Sequence, residues 1–119
     1  DSKVIARRLL ETTQGKRVLY VTSTDLSHYY PYDTAVNKDR IAIEAIEKAD
    51  PTAFFETVRN KKCELCGYSA VLTLLCMAEE SGGKKIKLLK YANSGDGPAG
   101  SKDKVVGYAA MAVIKNSDH

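Results

Sequence analysis

A chain of 119 residues that is 44% apolar and 28% charged has material for one domain with one core, spanning residues 1–119, and is neither disordered nor low in complexity. Its 18 Lys and Arg against 15 Asp and Glu leave a net charge of +3, interleaved without a basic block, which excludes a nucleic-acid footprint. No apolar run approaches the ~20 residues needed to cross a bilayer, and the opening stretch alternates charged with apolar residues instead of forming a signal-peptide core, so no membrane partner is expected and the expected setting is cytoplasmic.

The three cysteines, odd in number, read as free thiols in a reducing compartment. The chain starts at Asp1 and enters a helical pattern at once, with Val4, Ile5, Leu9 and Leu10 at helical spacing. A fragment or processed product of something longer is the expectation from that opening. Gly15, Lys16 and Arg17 stop this first helix, which should end near Gln14. The run Val18-Leu19-Tyr20-Val21-Thr22 is short, β-branched and almost continuously apolar, and predicts a strand buried on both faces. Its carboxyl end delivers the loop from Ser23 to His28.

Over residues 36–49 the apolar positions Ile41, Ala42, Ala45, Ile46 and Ala49 face away from Lys38, Arg40, Glu44, Glu47 and Lys48, predicting a half-exposed amphipathic helix on which Asp39 is a surface acid. Asp50-Pro51 restarts the chain as a helix cap and first helical residue, and Asn60-Lys61-Lys62 ends the helix that carries Phe54, Phe55 and Val58. Residues 68–81 hold Ala70, Val71, Leu72, Leu74, Leu75, Met77 and Ala78, a mostly buried helix closed by Gly82-Gly83. Residues 86–92 and 105–114 predict two strands, the second central, joined by a mobile loop dense in Gly and Ser. Three strands with four helices make a lopsided sheet, a further sign of missing sequence.

Three groups could do chemistry. His28 lies beside Asp25, and an imidazole near a carboxylate is placed to exchange protons near neutral pH. Equally, Asp25 can cap a turn while His28 packs on Tyr29, Tyr30 and Tyr32. Cys66, just ahead of Gly67 and the buried helix, sits where a helix dipole favours the thiolate, or else fills space as a small apolar residue. Cys63-x-x-Cys66 lacks a second ligand pair for a structural zinc, and Cys76 reads as core. The tyrosines can line a cleft or simply pack, and Asn93-Ser94-Gly95-Asp96 reads as turn chemistry.

Four segments carry a resemblance: Ser23-Thr24-Asp25-Leu26-Ser27-His28-Tyr29, Glu64-Leu65-Cys66-Gly67-Tyr68, Tyr91-Ala92-Asn93-Ser94-Gly95-Asp96 and Val105-Val106-Gly107-Tyr108-Ala109-Ala110. In that order they resemble the carboxyl-terminal half of the Memo family, and Asp33, Asp39 and Asp50-Pro51 extend the likeness over nearly the whole chain. The resemblance implies an α/β fold, a mixed sheet flanked by helices related to class III extradiol dioxygenases, of which this chain holds the carboxyl-terminal part. It further implies a redox or oxygen-activating protein with an iron or copper centre, Cys66 as the metal ligand that replaces a carboxylate, His28 as the acid-base group and Asp25 as the carboxylate that orients it. A thiolate in that place favours copper(I) or iron over magnesium or calcium. Family members take two further histidine ligands from an amino-terminal half, and this chain has none that match, His119 included. Metal binding by the chain alone is therefore expected to be weak, with the missing half or a second chain as partner. Ammecr-type and radical-SAM proteins are the other implied partners. The alternatives are a module that holds a peptide or protein in the same cleft without turnover, and a cysteine hydrolase with Cys66 as nucleophile, His28 as base and Asp25 as orienter.

Overall fold

A computed structural model describes residues 1–82 and 84–115. In chain order the elements are α1 (Ser2–Thr12), β1 (His28–Tyr30), α2 (Tyr32–Glu47), α3 (Pro51–Arg59), α4 (Tyr68–Glu80), β2 (Lys84–Asn93) and β3 (Val105–Lys115). The strands form one sheet in the order β1-β3-β2, with both pairings antiparallel. The α/β architecture with helices flanking a sheet agrees with the sequence expectation and is compatible with a dioxygenase-like fold. As expected, β3 is central. The stop expected at Gly83 and the terminal His119 lie outside the described residues.

The membership of the sheet departs from the sequence reading at one strand. Residues 18–22 enter no ladder, and Leu19 and Val21 stand 86% and 79% exposed. Strand propensity is realised only where a neighbouring backbone offers free donors and acceptors, and no described strand lies paired with this run. The third strand is instead β1, inside the segment read as a loop. It forms because the preceding residues zip onto β3: Leu26 N–H donates to Gly107 O at 2.9 Å and Gly107 N–H to Ser27 O at 3.0 Å.

The helices follow their sequence signals more closely. Asp50 caps α3 by accepting from Thr52 N–H at 3.0 Å and Ala53 N–H at 3.1 Å, with Pro51 at the first position; such a cap is worth about 1 kcal/mol. Phe54 of α3 is fully buried among Ile43 and Ile46 of α2, Leu75 of α4 and Ile86 of β2, the heart of the core. Ala6 of α1 meets Cys76 and Met77 of α4 in a second, smaller cluster. Contrary to the reading of α1, Val4, Ile5 and Leu9 are exposed, because α4 covers only the Ala6 side of a wide apolar stripe.

Asp39 is the larger correction. Expected on the helix surface, it is wholly buried, with Oδ1 accepting from Ser27 N–H at 2.9 Å and Oδ2 from Tyr91 O–H at 2.6 Å. Burial first, and then this bond, push the Tyr91 phenol above its ordinary pKa. Gly107 of β3 lies directly against the carboxylate: a Cβ there would come 1.8 Å from Oδ2. A buried charge must be hydrogen-bonded to be tolerated, and only a residue without a side chain leaves it room. Gly107→Ala should therefore lower stability by about 3 kcal/mol in urea unfolding, within the range of mutations that break a buried charged network. Gly97→Ala is the control: the nearest atom to its Cβ is 4.0 Å away and its backbone is extended, so its midpoint should scarcely move.

Candidate functional site

Two chain segments meet at the mouth of the core. Gly67, the residue ahead of α4, donates its N–H to Thr24 Oγ1 at 2.8 Å, and a Cβ on Gly67 would come 2.9 Å from Thr24 Cβ. The glycine thus lets residues 23–25 lie against the start of α4. Cys66 is thereby brought to 3.5 Å from Thr24 Oγ1 and 3.9 Å from the carbonyl of Asp25. Its thiol is held below the ordinary thiol pKa, first by the bond with the Thr24 hydroxyl and then by the Asp25 backbone. The helix terminus invoked from sequence is present, but the dominant cause is a threonine that sequence reasoning assigned no role. Cys66 is exposed, so the thiolate is available to a metal or an electrophile.

His28 opens β1 and is half-buried, with Nε2 3.8 Å from Asp25 Oδ2, an ion-pair distance too long for a direct hydrogen bond. Asp25 therefore touches both reactive groups, the thiol through its carbonyl and the imidazole through its carboxylate. The next residue, Tyr29, adopts φ +65° in the left-handed region, where a bulky side chain is an outlier, and the β1–β3 register shifts there. Tyr30 O–H then donates to Glu64, a bond that raises the phenol's pKa and ties β1 to the loop carrying Cys66.

The outcome is a cleft of about 400 Å³ lined by His28, Val58, Lys61, Glu64 and Cys66, with Cys63 and Leu65 at its base in the core. The histidine and cysteine singled out from sequence share one cavity although 38 positions separate them. The Cys63-x-x-Cys66 pair is divided between inside and outside: Cys63 is buried and burial pushes its thiol up, as it does for Cys76. The tyrosine cluster is divided too, since Tyr32 O–H bonds Asp96 and takes Lys102 over its ring at 4.2 Å. Asn93 to Asp96 form the expected turn, with Gly95 N–H donating to Asn93 Oδ1 at 2.9 Å and Asn93 N–H to Asp96 Oδ2 at 2.8 Å. The first part of the Gly- and Ser-rich loop is thus a built turn. Lys61 at the cleft was read from sequence only as part of a helix end, and Glu64, although it opens one of the four family-like segments, was given no role of its own.

Among the described residues, no group of three or more His, Cys, Asp and Glu side chains is arranged to hold a metal ion. Thiolate and imidazole are donor types that suit copper or iron.

The sequence matches the family described as Memo-like protein over residues 1–112. Among curated relatives, a MEMO1 family protein of Sulfolobus acidocaldarius is 40% identical over 102 residues, covering 86% of this chain and 35% of the relative. One from Saccharolobus islandicus (strain M.14.25 / Kamchatka #1) is 39% identical with the same coverage. One from Saccharolobus solfataricus is 38% identical over 103 residues, covering 87% of this chain and 36% of the relative. The chain therefore spans about a third of the length of the curated relatives it matches.

The contrast among the thiols is measurable. Iodoacetamide should label Cys66 roughly tenfold or more faster than Cys63 or Cys76 near neutral pH, as read by peptide mass spectrometry. A lowered thiol pKa means that the rate rises at lower pH than for a free thiol, so Thr24→Val should shift that rise to higher pH. Equal labelling of all three cysteines would contradict the geometry.

Proposed function

The chain belongs to the Memo-like protein family, and we propose that it is the part of a metal-binding redox protein that supplies one thiolate ligand and the proton-transferring group. The observation that carries this reading is the shared cleft, with the exposed low-pKa thiol of Cys66 and the imidazole of His28 in its walls. Cys66 acts as the ligand, His28 moves a proton to or from a bound molecule, and Asp25 orients the imidazole. Iron or copper bound there supplies one-electron or oxygen-activating chemistry, as in a relation to extradiol dioxygenases.

One protein ligand falls two short of the three usual in a catalytic site. We assign the remaining positions to two histidines in sequence that this chain does not span, on the same polypeptide or a second one. Ammecr-type and radical-SAM proteins are further partners on this reading, in a cytoplasmic setting. No helix of the described residues is long and apolar enough to cross a membrane.

The test is an anaerobic copper(I) titration against a chromophoric chelator. The chain should bind weakly, and Cys66→Ser should reduce affinity by a further factor of roughly 10–100, the scale on which perturbing a metal site acts. His28→Gln should weaken binding less, because its role is proton transfer. An unchanged titration for Cys66→Ser would defeat the metal reading. The same low-pKa thiol also suits a cysteine hydrolase; there, chelators would leave turnover unchanged and iodoacetamide would abolish it.

A further inference from the structure

We propose that Cys63 and Cys66 are a redox pair: Cys66 reacts with a small-molecule disulfide from solvent, and Cys63 resolves the product into a reversible Cys63–Cys66 bond that takes the sulfur of Cys66 away from a metal. The pairing stands on the cleft itself; its effect on metal binding rests on the reading of Cys66 as the ligand.

The first observation is that both cysteines line the same cleft of about 400 Å³ and stand at different depths in it. Cys66 is exposed, whereas Cys63 is 2% exposed at the edge of the core. A reagent from solvent reaches the outer sulfur and not the inner one, so the order of events is set: Cys66 first, Cys63 second. An accessible thiol beside a sheltered resolving thiol is the arrangement that redox-active cysteines use. Cys76 is also buried, but it packs between α1 and α4 and does not line this cleft, which makes it an internal control.

The second observation is the chain between the two sulfurs. α3 ends at Arg59 and α4 begins at Tyr68, so neither helix fixes Cys63 relative to Cys66. The backbone bends at Lys62 and Cys63 and turns at Cys66 and Gly67. Three residues span about 11 Å at most when extended, and a disulfide needs Cα atoms about 4.4–6.8 Å apart. A partly folded segment of this length meets that need without moving a helix. The contacts that hold the Cys66 sulfur, 3.5 Å to Thr24 Oγ1 and 3.9 Å to the Asp25 carbonyl, are long enough to be given up when it turns inward.

The exchange balances as follows. Cys66, as thiolate, attacks one sulfur of the external disulfide, forming a mixed disulfide and expelling the first small thiolate. Cys63 then attacks the Cys66 sulfur, breaking its bond to the second small thiolate and forming the internal bond. Two cysteines are oxidised by two electrons, the external disulfide is reduced to two thiols, and the two cysteine protons end on those thiols.

Oxidised glutathione is the probe. The reduced chain, exposed to it anaerobically and quenched in acid at intervals, should lose two thiols, read by mass after alkylation with N-ethylmaleimide. Proteolysis after Glu64 should leave the peptide bearing Cys63 joined to Cys66 until a reductant is added, with Cys76 alkylated throughout. Cys63→Ala should instead accumulate glutathione on Cys66, at least about tenfold above the wild-type level. Cys66→Ser should take up none, because the remaining thiols are sheltered. If Cys63→Ala does not fold, the wild-type chain decides alone: a glutathione adduct that persists on Cys66 without an internal bond, a bond that uses Cys76, or a bond that forms only in urea would each overturn the proposal. Copper(I) titrations separate the two readings. The oxidised chain should bind as weakly as reduced Cys66→Ser and regain affinity once reduced and freed of reductant. A disulfide that forms while Cys66→Ser titrates like the reduced wild type defeats the metal reading and leaves the pair standing; no disulfide, with Cys66→Ser weakened, defeats the pair alone.

Discussion

One buried carboxylate organises the relation between sheet and site. Asp39 reaches from α2 to the underside of β3, where Gly107 has no side chain to keep it out, and there it accepts from Ser27 N–H and Tyr91 O–H. Ser27 is the residue before His28, so the position of the imidazole is fixed from beneath by a charge whose hydrogen bonds are supplied by the site loop and by β2. Burying a carboxylate is costly unless it is well bonded, and that cost forces α2, β2, β3 and the loop into one register. The acid serves as a clamp, and the reactive groups lie above it.

The site is laced from two more directions. Thr24 joins residues 23–25 to the start of α4 through Gly67, and the bond from Tyr30 to Glu64 joins β1 to the loop ahead of α4. Between these ties lie His28 and Cys66. Rigid surroundings hold reactive groups in place, and the left-handed backbone at Tyr29 is the kind of local strain that such surroundings can maintain. Chemical selectivity among the thiols follows from the same packing: Cys63 and Cys76 are raised by burial, while Cys66, exposed and hydrogen-bonded, is lowered.

Elements with strong local signals were legible in the sequence. The Asp50-Pro51 cap, the Asn93 to Asp96 turn and the long apolar run of β3 each carry their instructions in adjacent residues, and each forms as expected. Features that depend on distant partners were not legible. Residues 18–22 have strand chemistry but no strand among the described residues to pair with, and β1 exists only because β3 passes beside it. Asp39 shares a helical stripe with Ala35, Ala42 and Ile46, all buried, at intervals of four, three and four. That spacing was a usable signal, masked by the habit of assigning a charged side chain to the outer face. At the cleft, the pairing of His28 with Cys66 came from a family likeness, whereas the part played by Thr24 follows from three-dimensional proximity alone.

The two margins of the sheet differ in character, and this gives the molecule a direction. Along β2 the outward positions Lys85, Lys87 and Lys90 are exposed and positively charged, and like charges repel any second chain that approaches to extend the ladder there. The opposite margin, where among the described residues no strand pairs with β3 past Gly107, has no such guard. Accretion of strands is thereby discouraged on one flank and permitted on the other, so the sheet can be completed in one sense without becoming the seed of an indefinite stack.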